Sequence, residues 1–450
     1  MRKKSKKQLP LMPQPTDDHP QAIELANISR ILDANRSICD LAMQDLSRCR
    51  NKEQSGAHGM SADQVVRAAI IKQMFTFTYT ELAFHIVDSQ SIRRFLRIGI
   101  GDKGFKKSAL CKNIKSLSAQ TWEAINAQLV QYAKDEGIEK GRTVRIDCTV
   151  VESNIHEPSD SSLLFDSVRV LTRLLHKAKD QYGLRIPFQD HTKRAKKRML
   201  AINNSGTKKD RQSKYADLIK VTKNTISYAH NAIVAIEKVL SFGSGLSVLH
   251  NDLKQYVRLA TQLVDQAHRR VMMGENVPVS DKIVSIFETH TDIIVKDRRD
   301  TYFGHKVCLT GGASNLITDC LVVDGNPADS TIMQQMLDRQ ETLYGRYPLK
   351  VALDGGFASK ENLKQAKGKQ IKDVCFAKKR GLEVNDMCRS SWVYNRLRRF
   401  RAGIESGISW VKRCFGLTRC TWKGLRSFKS YVWASIVSAN LLTIARKQAA

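Results

Sequence analysis

The feature that most constrains the fold is a change of hydrophobic period at Thr143. Apolar and polar residues alternate one by one through the segment TVRIDCTVV, residues 143–151. This alternation is typical of a half-buried strand and places Asp147 in mid-strand on the polar face. On either side, residues 21–140 and 160–290 have the three- and four-residue apolar spacing of helices. The chain is therefore predicted to set at least one strand between two helical regions.

The N-terminal helical region carries two helix-start motifs. Ser61-x-x-Gln64 and Thr78-x-x-Glu81 have the form of capping boxes, so helices are predicted to begin near residues 62 and 79. A third short helix, around residues 91–96, carries Arg93 and Arg94. These three helices are compatible with a helix-turn-helix in which Arg93 and Arg94 contact DNA. A small helical bundle with solvated arginines is the alternative.

Strand patterns return in the last third of the chain. They lie at residues 302–309, 316–323, 349–353 and 371–377, with a helical stretch at 330–343 before the third. The first two are close enough to form a hairpin. This order predicts an α/β fold, with a mixed sheet flanked by helices.

The charge of the chain points to a polyanionic partner. It has 74 Lys and Arg against 44 Asp and Glu, a net charge of +30. Hydrophobic residues make up 42% of the sequence, which excludes wholesale disorder. An ordinary metabolic enzyme is disfavoured, and nucleic acid is the first candidate partner.

Basic residues concentrate in two places. Residues 1–20 combine lysines and prolines and are predicted to be an arm that trails across phosphates. Residues 169–223 contain 16 Lys and Arg against 4 Asp and Glu, a balance that a solvated amphipathic helix alone does not explain. The candidate DNA-binding residues of this block are Lys193, Arg194, Lys196, Lys197 and Arg198.

Cysteine usage and hydropathy predict a cytosolic protein without a membrane partner. The ten cysteines include no C-x-x-C pair and are expected to be reduced thiols. No apolar segment of signal-peptide length follows the basic N-terminus. The longest uncharged apolar stretch, residues 430–445, is shorter than the roughly 20 residues that span a bilayer. It is predicted to be a buried C-terminal helix.

Three acidic residues lie where strand and helix ends would bring carboxylates together. Asp147 is on the first strand, Asp354 follows the strand at 349–353, and Glu405 lies in a strongly basic terminal helix. The presence of the Glu405 carboxylate among so many cations is explained if it holds a metal ion. Oxygen ligands favour Mg²⁺ or Mn²⁺. A pair of these ions suits phosphodiester chemistry. A turn aspartate at 354 and an i,i+4 ion pair between Arg401 and Glu405 are the alternatives.

The order of these motifs resembles that of the DDE-type insertion-sequence transposases of bacteria, and most closely that of the ISNCY group. The matching segments are DCTVVESNIHEPSDSSLL at 147–164, ALDGGF at 352–357, and RAGIE at 401–405, which continues to Lys412 and FGLTRC at 415–420. The helical region around residues 79–96 is similar to the domain that precedes such catalytic cores. The resemblance extends from about residue 60 to about residue 445.

This resemblance implies a ribonuclease-H-like catalytic core with a metal-binding triad of Asp147, Asp354 and Glu405, holding two Mg²⁺ or Mn²⁺ ions. It also implies that Arg401 and Lys412 are the Arg and Lys of a Tyr-Arg-Glu-Lys signature that handles the transposon end. Arg398 occupies the Tyr position, and a guanidinium there can bind phosphate and stack on a base.

An enzyme of this kind cuts double-stranded DNA at inverted repeats and joins the freed 3'-OH to target DNA. We expect a homodimer on DNA, because two ends must be cut and joined together. The expected location is the bacterial cytoplasm, in association with the nucleoid. A non-catalytic DNA-binding protein derived from a transposase and a metal-dependent nuclease without joining activity are the alternatives.

The predicted organisation has four parts. They are a basic arm at 1–20, a helical DNA-binding domain at 21–140, a ribonuclease-H-like domain formed by 141–159 and 291–450, and a basic helical insertion at 160–290 after the first strand.

Overall fold

The computed structural model describes residues 18–48, 59–99, 101–238, 244–296 and 300–449. These residues form two compact units. The sheet unit consists of the described residues within 1–152 and 305–450, and the insertion unit of those within 153–304. The predicted basic arm lies outside the described residues as far as position 17, and Pro20 already begins a helix.

Helices fill the described part of the chain that precedes the first strand. They are α1 (Pro20–Ala34), α2 (Ser37–Arg48), α3 (Ala62–Met74), α4 (Tyr79–Asp88), α5 (Gln90–Phe95), α6 (Lys107–Ser116) and α7 (Ala119–Asp135). The capping-box predictions are confirmed, because Ser61 and Gln64 bond reciprocally at the start of α3, and Thr78 and Glu81 do so at the start of α4.

The first strand, β1 (Thr143–Glu152), leads into the insertion unit. Between residues 160 and 273 the described part of this unit is helical, as the apolar spacing predicts. Its helices are α8 (Asp160–Tyr182), α9 (Thr192–Asn203), α10 (Lys208–Glu237) and α11 (Ser244–Ala267), the last continued by a π-helical turn at His268–Met273. Their apolar faces meet in one hydrophobic cluster that includes Leu171, Leu218 and Leu253. The insertion therefore has a core of its own.

The remaining strands complete a mixed six-stranded sheet. They are β2 (Asp292–Lys296), β3 (Asp300–Gly311), β4 (Ile317–Val322), β5 (Lys350–Leu353) and β6 (Asp373–Phe376). The strand order is β2-β3-β1-β5-β6, and β4 also pairs with β3. β1, β5 and β6 pair in parallel, whereas β3 is antiparallel to β2 and β4. The predicted mixed sheet and hairpin are confirmed; β2 was missed because only three apolar residues mark it.

Further helices follow β4 and flank the sheet. They are α12 (Asp329–Tyr344), α13 (Lys360–Gly368), α14 (Val384–Met387), α15 (Ser391–Cys414) and α16 (Leu425–Ala449). The predicted buried C-terminal helix is α16, which packs against α1, α3 and α7. Its buried Asn440 amide bonds both the backbone N–H and the carbonyl of Ile317. None of the described helices is both long and apolar enough to cross a bilayer.

The prediction of a half-buried β1 is wrong, because α15 packs on its polar face. Arg145 and Thr149 lie on the same face, two positions before and two positions after Asp147, and each is only 5% exposed. A period-two pattern identifies the two faces of a strand, but it does not reveal whether a later helix covers the polar one.

Candidate active site

Strand register brings two of the predicted carboxylates side by side. β1 and β5 are parallel, and their register pairs Ile146 with Leu353. The next positions along the two strands are Asp147 and Asp354, at the same edge of the sheet. Equivalent positions on paired strands direct their side chains to the same face. Two acids that are 207 positions apart in the chain therefore become neighbours.

The third carboxylate reaches the same place on α15, which packs on β1, β5 and β6. The Arg401 guanidinium lies among all three acids. Its Nη1 is 3.7 Å from Asp147 Oδ2 and 3.6 Å from Asp354 Oδ1, and its Nη2 donates to Glu405 Oε1 at 2.7 Å. The structure thus brings Asp147, Asp354 and Glu405 together around one cation. The i,i+4 ion pair considered as an alternative for Glu405 is also present.

The electrostatics of this cluster depend first on the burial of Asp147 and then on the charges around it. Burial raises the pKa of Asp147 to about 6, and the Asp354 and Glu405 charges act in the same direction. The Cys148 N–H, which donates to Asp147 Oδ1 at 2.8 Å, and Arg401 oppose this shift. One guanidinium therefore compensates three carboxylates only in part, and the cluster favours an additional cation.

Two glycines follow Asp354 in the turn that leaves β5. Gly355–Phe357 is one turn of 3₁₀ helix and neither glycine has a positive φ, so backbone freedom is not the reason for glycine here. Close packing explains both residues. A Cβ on Gly355 would lie 2.7 Å from Lys378 Cβ, and one on Gly356 would lie 2.8 Å from Asp329 Oδ2.

The chemistry of the donor set fits a hard divalent cation. Asp147, Asp354 and Glu405 offer carboxylate oxygens, and the Asp354 and Glu405 side chains are 44% and 59% exposed, open to solvent. As they stand, no three His, Cys, Asp or Glu side chains in the described ranges are arranged to hold a metal ion. In the cluster itself, the Arg401 guanidinium contacts the oxygens that a metal would take.

The other predicted DNA contacts on α15 lie on the helix that carries Arg401. Arg398 is exposed one turn before Arg401, and Lys412 is half-buried near the end of the helix. The carbonyl of Lys412 accepts a hydrogen bond from Thr418 Oγ1 at 3.1 Å.

The basic block of the insertion divides into two groups on α9. Arg194 and Arg198 both pair with Asp217 of α10. Lys193, Lys196 and Lys197 are exposed. The arginines therefore fasten α9 to α10, and the three lysines present ammonium groups to solvent.

The two arginines of the predicted recognition helix also differ from each other. α5 has only six residues, and Arg93 donates to the carbonyls of Ile86 and Asp102, at 3.4 and 2.9 Å. Arg94 is exposed. Arg93 thus closes the loop after α5, and the structure brings neither residue to the carboxylate cluster.

Sequence reasoning missed one residue beside the site, Arg145. It lies two positions before Asp147 on the same face of β1, where its guanidinium is buried and donates to Phe400 O of α15 at 2.8 Å. The available signal was a charged residue on the polar face of a strand pattern, which the pattern of a half-buried strand leaves uncovered.

Comparison with known proteins gives one match to a protein family. Residues 294–441, about a third of the chain, match the family model of the transposase DDE domain. This range contains Asp354 and Glu405 but not Asp147, which the sheet register brings to them. No curated protein and no solved structure gives a significant match. This match supports the interpretation that the protein is a DDE-type transposase.

Proposed function

We propose that this protein is a DNA transposase that binds inverted-repeat ends, cleaves them in a metal-dependent reaction and transfers the 3'-OH to target DNA. The observation that carries the proposal is the meeting of Asp147, Asp354 and Glu405 around Arg401. A ribonuclease-H-like core accords with the strand order, in which two parallel strands lie on one side of β1 and antiparallel strands on the other.

Asp147, Asp354 and Glu405 would hold two Mg²⁺ or Mn²⁺ ions. Such ions, when bound, would supply activation of the attacking oxygen of water or of the 3'-OH and stabilisation of the leaving oxygen. Asp147 is the most buried of the three carboxylates and lies on a strand, so it fixes the position of the site in the sheet. Glu405 and Asp354 are more exposed and face the side from which DNA would approach.

Arg401 would have two roles in this site. Without metal it balances part of the carboxylate charge. With metal bound, its planar guanidinium would be released to contact a phosphate of the bound strand. Arg398 and Lys412 on the same helix would contact the neighbouring DNA backbone, so that α15 carries both a metal ligand and DNA contacts.

The remaining surfaces would supply affinity for DNA. Lys193, Lys196 and Lys197 would bind phosphates, and so would Arg94. A homodimer on DNA would bring two ends to two active sites. We place the protein in the bacterial cytoplasm, associated with the nucleoid. We also propose that the protein is similar to the ISNCY group, on the sequence motifs alone.

A non-catalytic DNA-binding protein derived from a transposase is the second candidate. It is favoured by one observation: the Arg401 guanidinium contacts all three carboxylates and holds the centre of the site. Its DNA binding would depend on salt but not on divalent metal.

The test uses a plasmid that carries the coding frame with its genomic flanks as donor, and a second plasmid as target. With Mg²⁺, the wild-type protein is expected to give joined product. Asp147→Asn should lower cleavage at least about a thousandfold, because a lost metal ligand costs several kcal/mol of transition-state stabilisation. Its binding to the donor DNA, measured by gel shift, should change little. Asp324→Asn is the matched control, because Asp324 is an exposed turn residue paired with Lys429.

The products separate the hypotheses. Cut DNA without joining would indicate a nuclease, and binding without cutting would indicate the non-catalytic protein. Joined product formed by Asp147→Asn in Mg²⁺ would reject the assignment of the triad.

A further inference from the structure

The buried guanidinium of Arg145 ties the strand of Asp147 to the helix of Glu405. Its Nη1 donates to Phe400 O at 2.8 Å, and its Cζ lies 4.7 Å from the centre of the Phe400 ring. Phe400 immediately precedes Arg401 on α15. The contact thus joins the residue two positions before Asp147 to the residue five positions before Glu405.

The same guanidinium reaches the turn between β3 and β4. Nη2 donates to Asn315 Oδ1 at 2.6 Å, and Asn315 has a left-handed backbone with φ of 71°. This turn is itself held by buried Glu139, which accepts bonds from Ser314 N at 2.8 Å and Ser314 Oγ at 2.5 Å. Arg145 therefore connects three elements that are far apart in the chain.

Gly403 makes room for this arrangement. A Cβ on Gly403 would lie 2.0 Å from Arg145 Nη1 and 2.9 Å from its Cζ. The guanidinium can lie against α15 only because this position has no side chain. Gly407, one turn later on the same helix, has nothing within 4 Å of an added Cβ. The need for glycine is thus specific to position 403.

Stability alone does not explain a guanidinium at this place. Arg145 is 5% exposed and its Nε is buried without a hydrogen-bond partner. The charge of the buried Glu139 carboxylate acts on Arg145, but the oxygens of Glu139 accept bonds from Ser314 and from the backbone N–H groups of Lys140 and Gly141. Burial of a cation without an ion-pair partner costs free energy that apolar packing would not. By contrast, hydrogen bonds to a backbone carbonyl and a turn amide fix directions in space.

We propose that Arg145 is a positioning residue, which with Gly403 sets the distance between α15 and β1 and so brings Glu405 within reach of a cation held by Asp147 and Asp354. This inference rests on the proposed function. Arg145 itself touches neither DNA nor metal; it acts through the position of the helix.

The test is a titration of metal-free protein with Mn²⁺, followed by the electron paramagnetic resonance signal of the free ion. Wild type should bind Mn²⁺, and Asp147→Asn should lose most of this binding. Arg145→Met should weaken Mn²⁺ affinity by about 10- to 100-fold, as expected for a group that orients a ligand. Gel-shift affinity for a duplex oligonucleotide in EDTA should remain unchanged.

Substitutions at Gly403 and Gly407 provide a second test of the proposal if Arg145→Met folds poorly. Gly403→Ala should displace the guanidinium and weaken Mn²⁺ binding by about tenfold. Gly407→Ala should leave Mn²⁺ binding unchanged and raise the Tm by about 1 to 2 °C, since alanine is the better helix former. When Arg145→Met is already present, Gly403→Ala should have no further effect on Mn²⁺ affinity, because the colliding atoms are gone.

The possible failures are distinguishable. If wild type binds no Mn²⁺, or Asp147→Asn binds it equally well, the metal site of the proposed function is rejected, and the positioning role of Arg145 is rejected with it. If wild type binds and Asp147→Asn does not, unchanged Mn²⁺ affinity in Gly403→Ala or in a folded Arg145→Met overturns the positioning role alone.

Discussion

Arg339 and Arg401 of the sheet unit each contact more than one carboxylate, and the difference between these two residues is instructive. Arg339 of α12 donates to both oxygens of Asp319, at 2.7 and 2.6 Å, and to Glu123 Oε1 at 2.6 Å. Arg401 has one such bond, to Glu405, whereas its distances to Asp147 and Asp354 are 3.7 and 3.6 Å.

The Arg339 cluster is saturated, and the Arg401 cluster is not. Bidentate bonds between a guanidinium and a carboxylate satisfy both groups, so the Asp319 pair is a structural contact that fastens β4 to α12. At Arg401, three carboxylates share one cation, Asp147 and Asp354 at longer range than Glu405, and the Asp354 and Glu405 side chains are exposed. The first arrangement contributes to stability, and the second is left with charge that a further cation can neutralise.

The largest effect on stability is expected from breaking the saturated cluster. Arg339→Met leaves Asp319, whose side chain is 9% exposed, without its partner. The free energy of unfolding should fall by about 3 to 5 kcal/mol, measured by urea denaturation. Arg346→Met, which removes a single exposed bond to Lys140 O, should change it much less. A small effect at Arg339 would remove the basis of the comparison.

In the Arg401 cluster, removal of a charge is expected to raise the free energy of unfolding rather than lower it. The pKa of Asp147 is about 6 in the folded protein and 3.8 for the ordinary side chain. The folded state therefore binds the proton more tightly, and stability falls as pH rises from about 4 to 6. In EDTA at pH 7.5, Asp147→Asn should raise the free energy of unfolding by up to about 3 kcal/mol. At pH 4 most of this gain should be lost. A variant less stable than wild type at pH 7.5 would contradict the prediction.

The smallest expected effect concerns DNA binding by α9, whose basic residues divide in the same way into ion-paired arginines and solvent-exposed lysines. Replacing Lys193, Lys196 and Lys197 with alanine should lower the slope of log Kd against log salt concentration by about 3, roughly 0.9 for each lost phosphate contact. Fluorescence anisotropy with a duplex oligonucleotide measures this slope. Replacing Arg194 and Arg198, which are paired with Asp217, should mainly lower stability. An unchanged slope in the lysine variant would exclude α9 from the DNA-binding surface.

Local patterns predicted much of the fold. The capping boxes at Ser61 and Thr78 marked helix starts, and alternation from Thr143 marked β1, because these signals arise from hydrogen bonds and side-chain directions within a few residues. The short β2 escaped prediction because Ile293–Val295 is too brief to show a period, and its pairing with β3 decides its conformation.

The candidate site was predicted in part. Asp147, Asp354 and Glu405 could be selected from their places at a strand, a strand end and a basic helix. The role of Arg145 could not, because its partner Phe400 is 255 positions away. A contact over such a separation depends on how α15 packs on the sheet.

The sequence by itself determined the order of helices and strands, the helical insertion and the excess of positive charge, because each of these depends on neighbouring residues or on composition. Only the tertiary structure decided that Asp147 and Asp354 share a register, that Arg401 lies among three carboxylates, and that Arg145 is buried under α15. The physical reason is that local periodicity sets which face a side chain occupies, whereas long-range packing decides what covers that face and how much charge remains exposed to solvent.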